Sequence, residues 1–187
     1  IAAAITLGAN AGIQKVYADD NREILPDNHQ KAVNQDSDND LLSNSEEFAI
    51  GYDPFKQNQN KNGIADGAEL AQRAAKVIDA LPIYIPGTNM LIPNETYKIS
   101  HMMRGEETCD ICGQRINMGG YEIINPNLNM TFPDSNDPLD KELLPMLAIH
   151  YMSHGSFDCF GEIHDGRVDL PRLLRVLEVR FPYEHDQ

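Results

Sequence analysis

The stretch from Leu70 to Leu81 carries apolar residues at 70, 71, 74, 77, 78 and 81. That spacing lays one apolar face along a helix, and Pro82 ends it. A second helix is predicted over Leu139–Met152, with Leu143, Leu144, Leu147 and His150 on adjacent turns. A third runs from Val168 to Val179 with Leu170, Leu173, Leu174 and Leu177 on one side, Pro171 suiting its first turn. Thr96–Met103 predicts a strand, and Tyr121–Ile124, after Gly119 and Gly120, predicts the return strand of a hairpin spanning Ile116–Ile124. The Pro- and Gly-broken stretch 82–95 predicts an ordered linker, 19–35 a polar lead-in and 125–138 a loop. Helices and short strands in this mixture predict a small, irregular α+β fold.

Ahead of the first helical face, oxygen-bearing residues alternate along the chain. Asp36, Asp38 and Asp40 are followed by Asn44 and Glu47; 22 residues on come Asn58, Asn60, Asn62, Asp66 and Glu69. A loop that winds around a hard cation needs oxygen at its positions 1, 3, 5, 7, 9 and 12, the last a bidentate Glu. The first copy offers Asp36, Asp38, Asp40, the Leu42 carbonyl, Asn44 and Glu47. Its Leu41 occupies position 6, where Gly is usual, and a left-handed backbone there costs roughly 1 kcal/mol. The second copy offers Asn58, Asn60, Asn62, the Ile64 carbonyl, Asp66 and Glu69, and keeps Gly63 at position 6. With fewer charges it predicts a weaker site. A solvated acidic turn capping a helix is the plainer reading of either stretch. A third stretch, 161–172, puts Gly161, Ile163 and Arg172 at ligand positions and reads as a structural turn.

These strings, with Gly51-Tyr-Asp53-Pro54 between them, resemble EF-hand-like loops and thrombospondin type 3 repeats over about residues 36–70. The resemblance implies extracellular calcium bound by the residues named above. It departs from the repeat pattern at Leu41, Tyr52 and the Asn positions.

Softer ligands follow. Cys109 and Cys112 form C-x2-C; after 37 intervening residues come His150 and His154, as H-x3-H. Two thiolates on one turn and two imidazoles on one helical face can complete a tetrahedron around Zn2+. By ligand order and spacing, residues 82–187 resemble a zinc knuckle of treble-clef type. A Cys109–Cys112 disulfide beside unrelated histidines is the competing reading. A copper site drawing on Met102, Met103 or Met152 is another. His101 is a candidate alternative ligand or partner of a ligand; Cys159 and His164 are weaker candidates. The helix reads His-Tyr-Met-Ser-His, without the Glu that follows the first His in zinc peptidases. No G-x-S-x-G, P-loop or GxGxxG motif occurs. Structural zinc is therefore expected, with no catalytic residue assigned.

Composition narrows the partners. The 187 residues carry 15 Lys and Arg against 29 Asp and Glu, a net charge of −14. Such acidity predicts divalent cations as partners and argues against nucleic acid, whose affinity comes from basic residues. Three cysteines, an odd number, argue against a pure disulfide framework. Residues 1–18 are rich in Ala, Ile, Leu and Gly and close on Val16-Tyr17-Ala18, the pattern of a signal-peptide remnant, an Ala-rich N-terminal helix being the plainer reading. Asn10, Gln14 and Lys15 interrupt the stretch, which is too short for a membrane span. The expected organisation is thus a signal remnant (1–18), a calcium-loop helical module (19–81) and a Cys2His2-stapled α+β domain (82–187), its zinc-knuckle β-hairpin packed on helices. A secreted, periplasmic or cell-surface module with Ca2+ and Zn2+ is the expected function, structural or interactive in role. Its other partners would be extracellular proteins or further segments of a larger chain. A zinc hydrolase, a C-x2-C thiol oxidoreductase and a zinc or copper carrier are the alternatives.

Overall fold

The computed structural model describes residues 35–88, 90–133, 143–160 and 165–179. The expected signal remnant at 1–18, and His164, lie outside these residues. The chain divides into a unit of residues 1–33 and a compact unit, Asn34–Gln187, which holds everything described below. Mixed α+β architecture is present, with four helices and several small sheets among the described residues.

Helix α1, Asn44–Ile50, starts at Ser43 in a capping box: Ser43 Oγ accepts from the Glu46 N–H, and the Glu46 carboxylate accepts from the Ser43 N–H. Gly51 ends it in the left-handed region, φ 81°. Helix α2, Asp66–Ala80, buries Leu70, Ala71, Ala74 and Ile78 of the expected face together with Ala75, while Val77 and Leu81 are only partly buried against the core. That face packs on helix α3, Met146–Ser153, which buries Leu147, Ala148, Ile149, Tyr151 and Met152. Helix α4, Leu170–Val176, adds Leu170, Leu173, Leu174 and Val176. Residues on both sides of Pro82 share this one core.

The larger sheet runs β1 (Ile83–Tyr84), β2 (Tyr97–His101), β5 (Gly120–Asn125) and β6 (Met130–Phe132), with β7 (Leu144–Pro145) also on β5. Strands β3 (Glu106–Thr108) and β4 (Arg115–Asn117) form a separate antiparallel ribbon, as do β8 (Asp158–Phe160) and β9 (Asp165–Arg167).

Three expectations change. The return strand at 121–124 does not pair with Ile116; Ile123 and Ile124 stand opposite Lys98 and Tyr97. Ile116 pairs instead with Glu107, across the cysteine turn. The helix expected from Leu139 begins at Met146, because Leu144-Pro145 is extended and pairs with Gly120 and Tyr121. A residue before proline is pushed away from helical backbone, which fits that start. Finally, the linker contributes a strand, Ile83 and Tyr84 lying parallel to Lys98 and Ile99.

Candidate metal centres

The β3–β4 ribbon presents Cys109 and Cys112 on its connecting turn. Cys109 N–H donates to the Gln114 carbonyl at 2.9 Å and Gly113 N–H to the Cys109 carbonyl at 2.7 Å. Gly113 takes φ 75°, a conformation that favours glycine and closes the turn tightly. Helix α3 and the residue that caps its C-terminus bring His150 and His154 to the same place, four residues apart. The ligand atoms of Cys109, Cys112, His150 and His154 all lie within 4.8 Å of one another. His150 Nε2 stands 3.2 Å from Cys112 Sγ and 3.2 Å from His154 Nε2. A tetrahedral zinc with ordinary bond lengths separates its nitrogen ligands by about 3.3 Å, so the spacing fits. Burial, and then the neighbouring His154, lower the His150 pKa and favour the neutral imidazole that a metal requires. All three cysteines are free of disulfides.

Tyr151, the next residue of α3, locks turn to helix. Its hydroxyl accepts from the Asp110 N–H at 3.1 Å and donates to the Phe160 carbonyl at 3.2 Å. Cys109 is fully buried (0% exposed), whereas Cys112 and His154 face solvent. His101 is outside the cluster, its Nε2 lying 3.8 Å from Glu122. Cys159 is buried and also outside it. Met102 and Met103 are exposed and Met152 is buried in the core.

The two oxygen-rich loops share one backbone design. Position 4 is left-handed in both, Asn39 at φ 58° and Lys61 at 60°; so is position 6, Leu41 at 78° and Gly63 at 87°. Position 5 accepts from the N–H of position 7 at 2.8 Å in each: Leu42 to Asp40 Oδ1, Ile64 to Asn62 Oδ1. Position 9 accepts from the N–H of position 2, Ser37 to Asn44 and Gln59 to Asp66. Asn44 also donates to Ser37 Oγ at 3.0 Å, so both ends of that side chain are engaged in bracing the loop.

Their centres differ. In the first loop Asp36, Asp38 and Asp40 converge. Asp36 receives the N–H groups of Asn39, Asp40 and Leu41. Both oxygens of Asp38, Oδ2 of Asp40 and both oxygens of Glu47 are buried with no hydrogen-bond partner. Burial pushes Asp40 up to about 7, with repulsion from Asp38 and Asp36 adding to it. Glu47 is pushed up to about 8, again by burial first and then by Asp38, Asp40 and Asp36. Five buried carboxylate oxygens without partners, on Asp38, Asp40 and Glu47, are costly unless a cation neutralises them. The donor set is hard, acidic and oxygen-only, which suits Ca2+.

The signal for this contrast was present in the sequence as Asp against Asn, but its structural meaning needed partners. Missed entirely was Arg167 on β9. Its guanidinium donates to both oxygens of Glu46, at 2.8 and 2.7 Å, to Asp158 at 2.9 Å and to the Leu41 carbonyl at 2.7 Å.

Neither a protein-family model, nor a curated protein, nor a solved structure matches the chain.

Proposed function

We propose that this chain is a metal-stabilised structural or interaction module. Zn2+ is held by Cys109, Cys112, His150 and His154, and Ca2+ by Asp36, Asp38, Asp40, the Leu42 carbonyl and Glu47. The convergence of four soft ligand atoms within 4.8 Å, from a turn and a helix remote in sequence, carries the reading. Two S and two N donors close a tetrahedron and leave no position for a reacting water, so the zinc acts as a staple. It joins the cysteine ribbon to α3, and through α3 to the core. Calcium does the equivalent work around α1, neutralising carboxylates that the fold buries. A secreted, periplasmic or cell-surface location goes with this proposal, since millimolar calcium is extracellular and such loops work in that range. No helix among the described residues is long and apolar enough to cross a membrane.

Thiol titration tests it. A metal-bound pair resists a thiol reagent until a chelator is added, and zinc release then accompanies the reaction. Immediate reaction of both Cys109 and Cys112 without chelator removes the reading.

One observation favours a second reading, a zinc or copper carrier. Cys112 and His154 are exposed, so an ion can leave without the core opening. A carrier exchanges its metal with a competing chelator within seconds, whereas a staple exchanges over hours.

A further inference from the structure

In the second loop the place of a cation is taken by side-chain amides. Asn60 Nδ2 donates to Glu69 Oε2 at 2.7 Å and Asn62 Nδ2 donates to the same oxygen at 2.8 Å. Glu69 therefore has partners where its counterpart in the first loop, Glu47, has none.

The amides cannot simply turn over to offer oxygen instead. Asn60 Oδ1 already accepts the Asn62 N–H at 3.0 Å, and Asn62 Oδ1 accepts the Ile64 N–H at 2.8 Å. Flipping either amide would set an NH2 against a backbone N–H. An aspartate escapes this conflict because its second atom is another oxygen. Asp40 shows it: Oδ1 takes the Leu42 N–H, and Oδ2 remains without a partner. One atom per side chain, nitrogen in place of oxygen, thus converts an ion cage into a self-satisfied loop.

Resting on the calcium reading proposed above, we infer that the first loop alone takes calcium and that the second is an ion-independent copy. Its Asn60–Glu69 and Asn62–Glu69 bonds keep it folded at any calcium concentration. The folded copy starts α2, and α2 abuts the first loop: a Cβ built on Gly67 would lie 2.5 Å from the Asp40 carbonyl oxygen. A permanently closed loop therefore serves as the template against which the calcium-dependent loop is shaped.

Calorimetric titration of the full chain with calcium chloride decides it. The wild type binds one calcium per chain. Glu47→Gln abolishes that binding and Glu69→Gln leaves it intact. The pair Asn60→Asp and Asn62→Asp raises the stoichiometry to two. Should a variant fail to fold, amide exchange in the wild type gives the same answer: with chelator present, the Asn62 and Ile64 N–H groups stay protected while that of Leu42 exchanges. Two calciums per wild-type chain, one lost with each Glu variant, would overturn the inference and leave the calcium reading standing. No binding at all would overturn both.

Discussion

Arg167 grips Glu46 with two of its guanidinium nitrogens, across 121 residues of sequence. Burial would by itself raise the Glu46 pKa, but the hydrogen bonds from Arg167, aided by Ser43, outweigh it and hold the carboxyl below its usual range. The same side chain reaches the Leu41 carbonyl, so β9 braces both the first oxygen loop and the start of α1. Removing it strands a largely buried carboxylate. Arg167→Ala is predicted to lower the unfolding free energy by about 2 kcal/mol in denaturant titrations. Arg167→Lys recovers only part, since an ammonium cannot fork onto two oxygens. A melt of Arg167→Ala identical to wild type would show that the contact does not matter.

Leu41 holds φ 78° while the residue is 48% exposed. Glycine relieves the steric cost of that backbone and gives up little burial. Leu41→Gly is expected to stabilise the protein by at most about 1 kcal/mol, the strain outweighing the extra freedom of the unfolded chain. Destabilisation by that much or more would mean the left-handed position is not strained.

The tight approach of Gly67 to the Asp40 carbonyl has the opposite consequence. At 2.5 Å, an added Cβ must displace backbone of the first loop. Gly67→Ala should cost about 1–3 kcal/mol of stability. It should also weaken calcium binding, because Asp40 moves with its carbonyl. Unchanged calcium affinity in this variant would separate α2 from the site.

Calcium binding should be linked to pH. Asp40 at about 7 and Glu47 at about 8 retain protons in the ion-free protein that the unfolded chain, with ordinary values of 3.8 and 4.5, has lost. These two groups therefore make the ion-free fold less stable as pH rises from about 4.5 to about 8. Calcium must displace those protons, so at pH 7 binding releases roughly one to two protons. The apparent affinity falls as the solution is acidified below that point. Titrations in buffers of different ionisation enthalpy measure the release directly; enthalpies that do not vary with buffer would contradict it.

Much of the site's layout could be read from spacing alone. Alternating oxygen residues placed both loops, and the position of Leu41 anticipated a left-handed backbone, because each depends only on neighbours along the chain. The grouping of Cys109 and Cys112 with His150 and His154 was legible for a related reason: a two-residue turn and a helical turn each fix a pair. Strand pairing was not legible in this way. Tyr121–Ile124 finds Tyr97–His101 because the cysteine turn claims Arg115–Asn117 as its own partner strand, a competition that no local pattern displays. Nor did the residues announce Arg167, whose meaning comes from Glu46 and Leu41, or the amide bonds onto Glu69, which hold only once the loop is closed. Leu144-Pro145 did carry a warning against the early helix start, in the restriction that proline imposes on its predecessor.

Whether one ion joins the cysteine turn to helix α3 is decided by X-ray absorption at the zinc edge of the purified, zinc-loaded protein. The expected spectrum is that of a single four-coordinate ion with two sulfurs at about 2.3 Å and two nitrogens at about 2.0–2.1 Å. A zinc surrounded only by oxygen and nitrogen, or protein that retains no zinc, would contradict it.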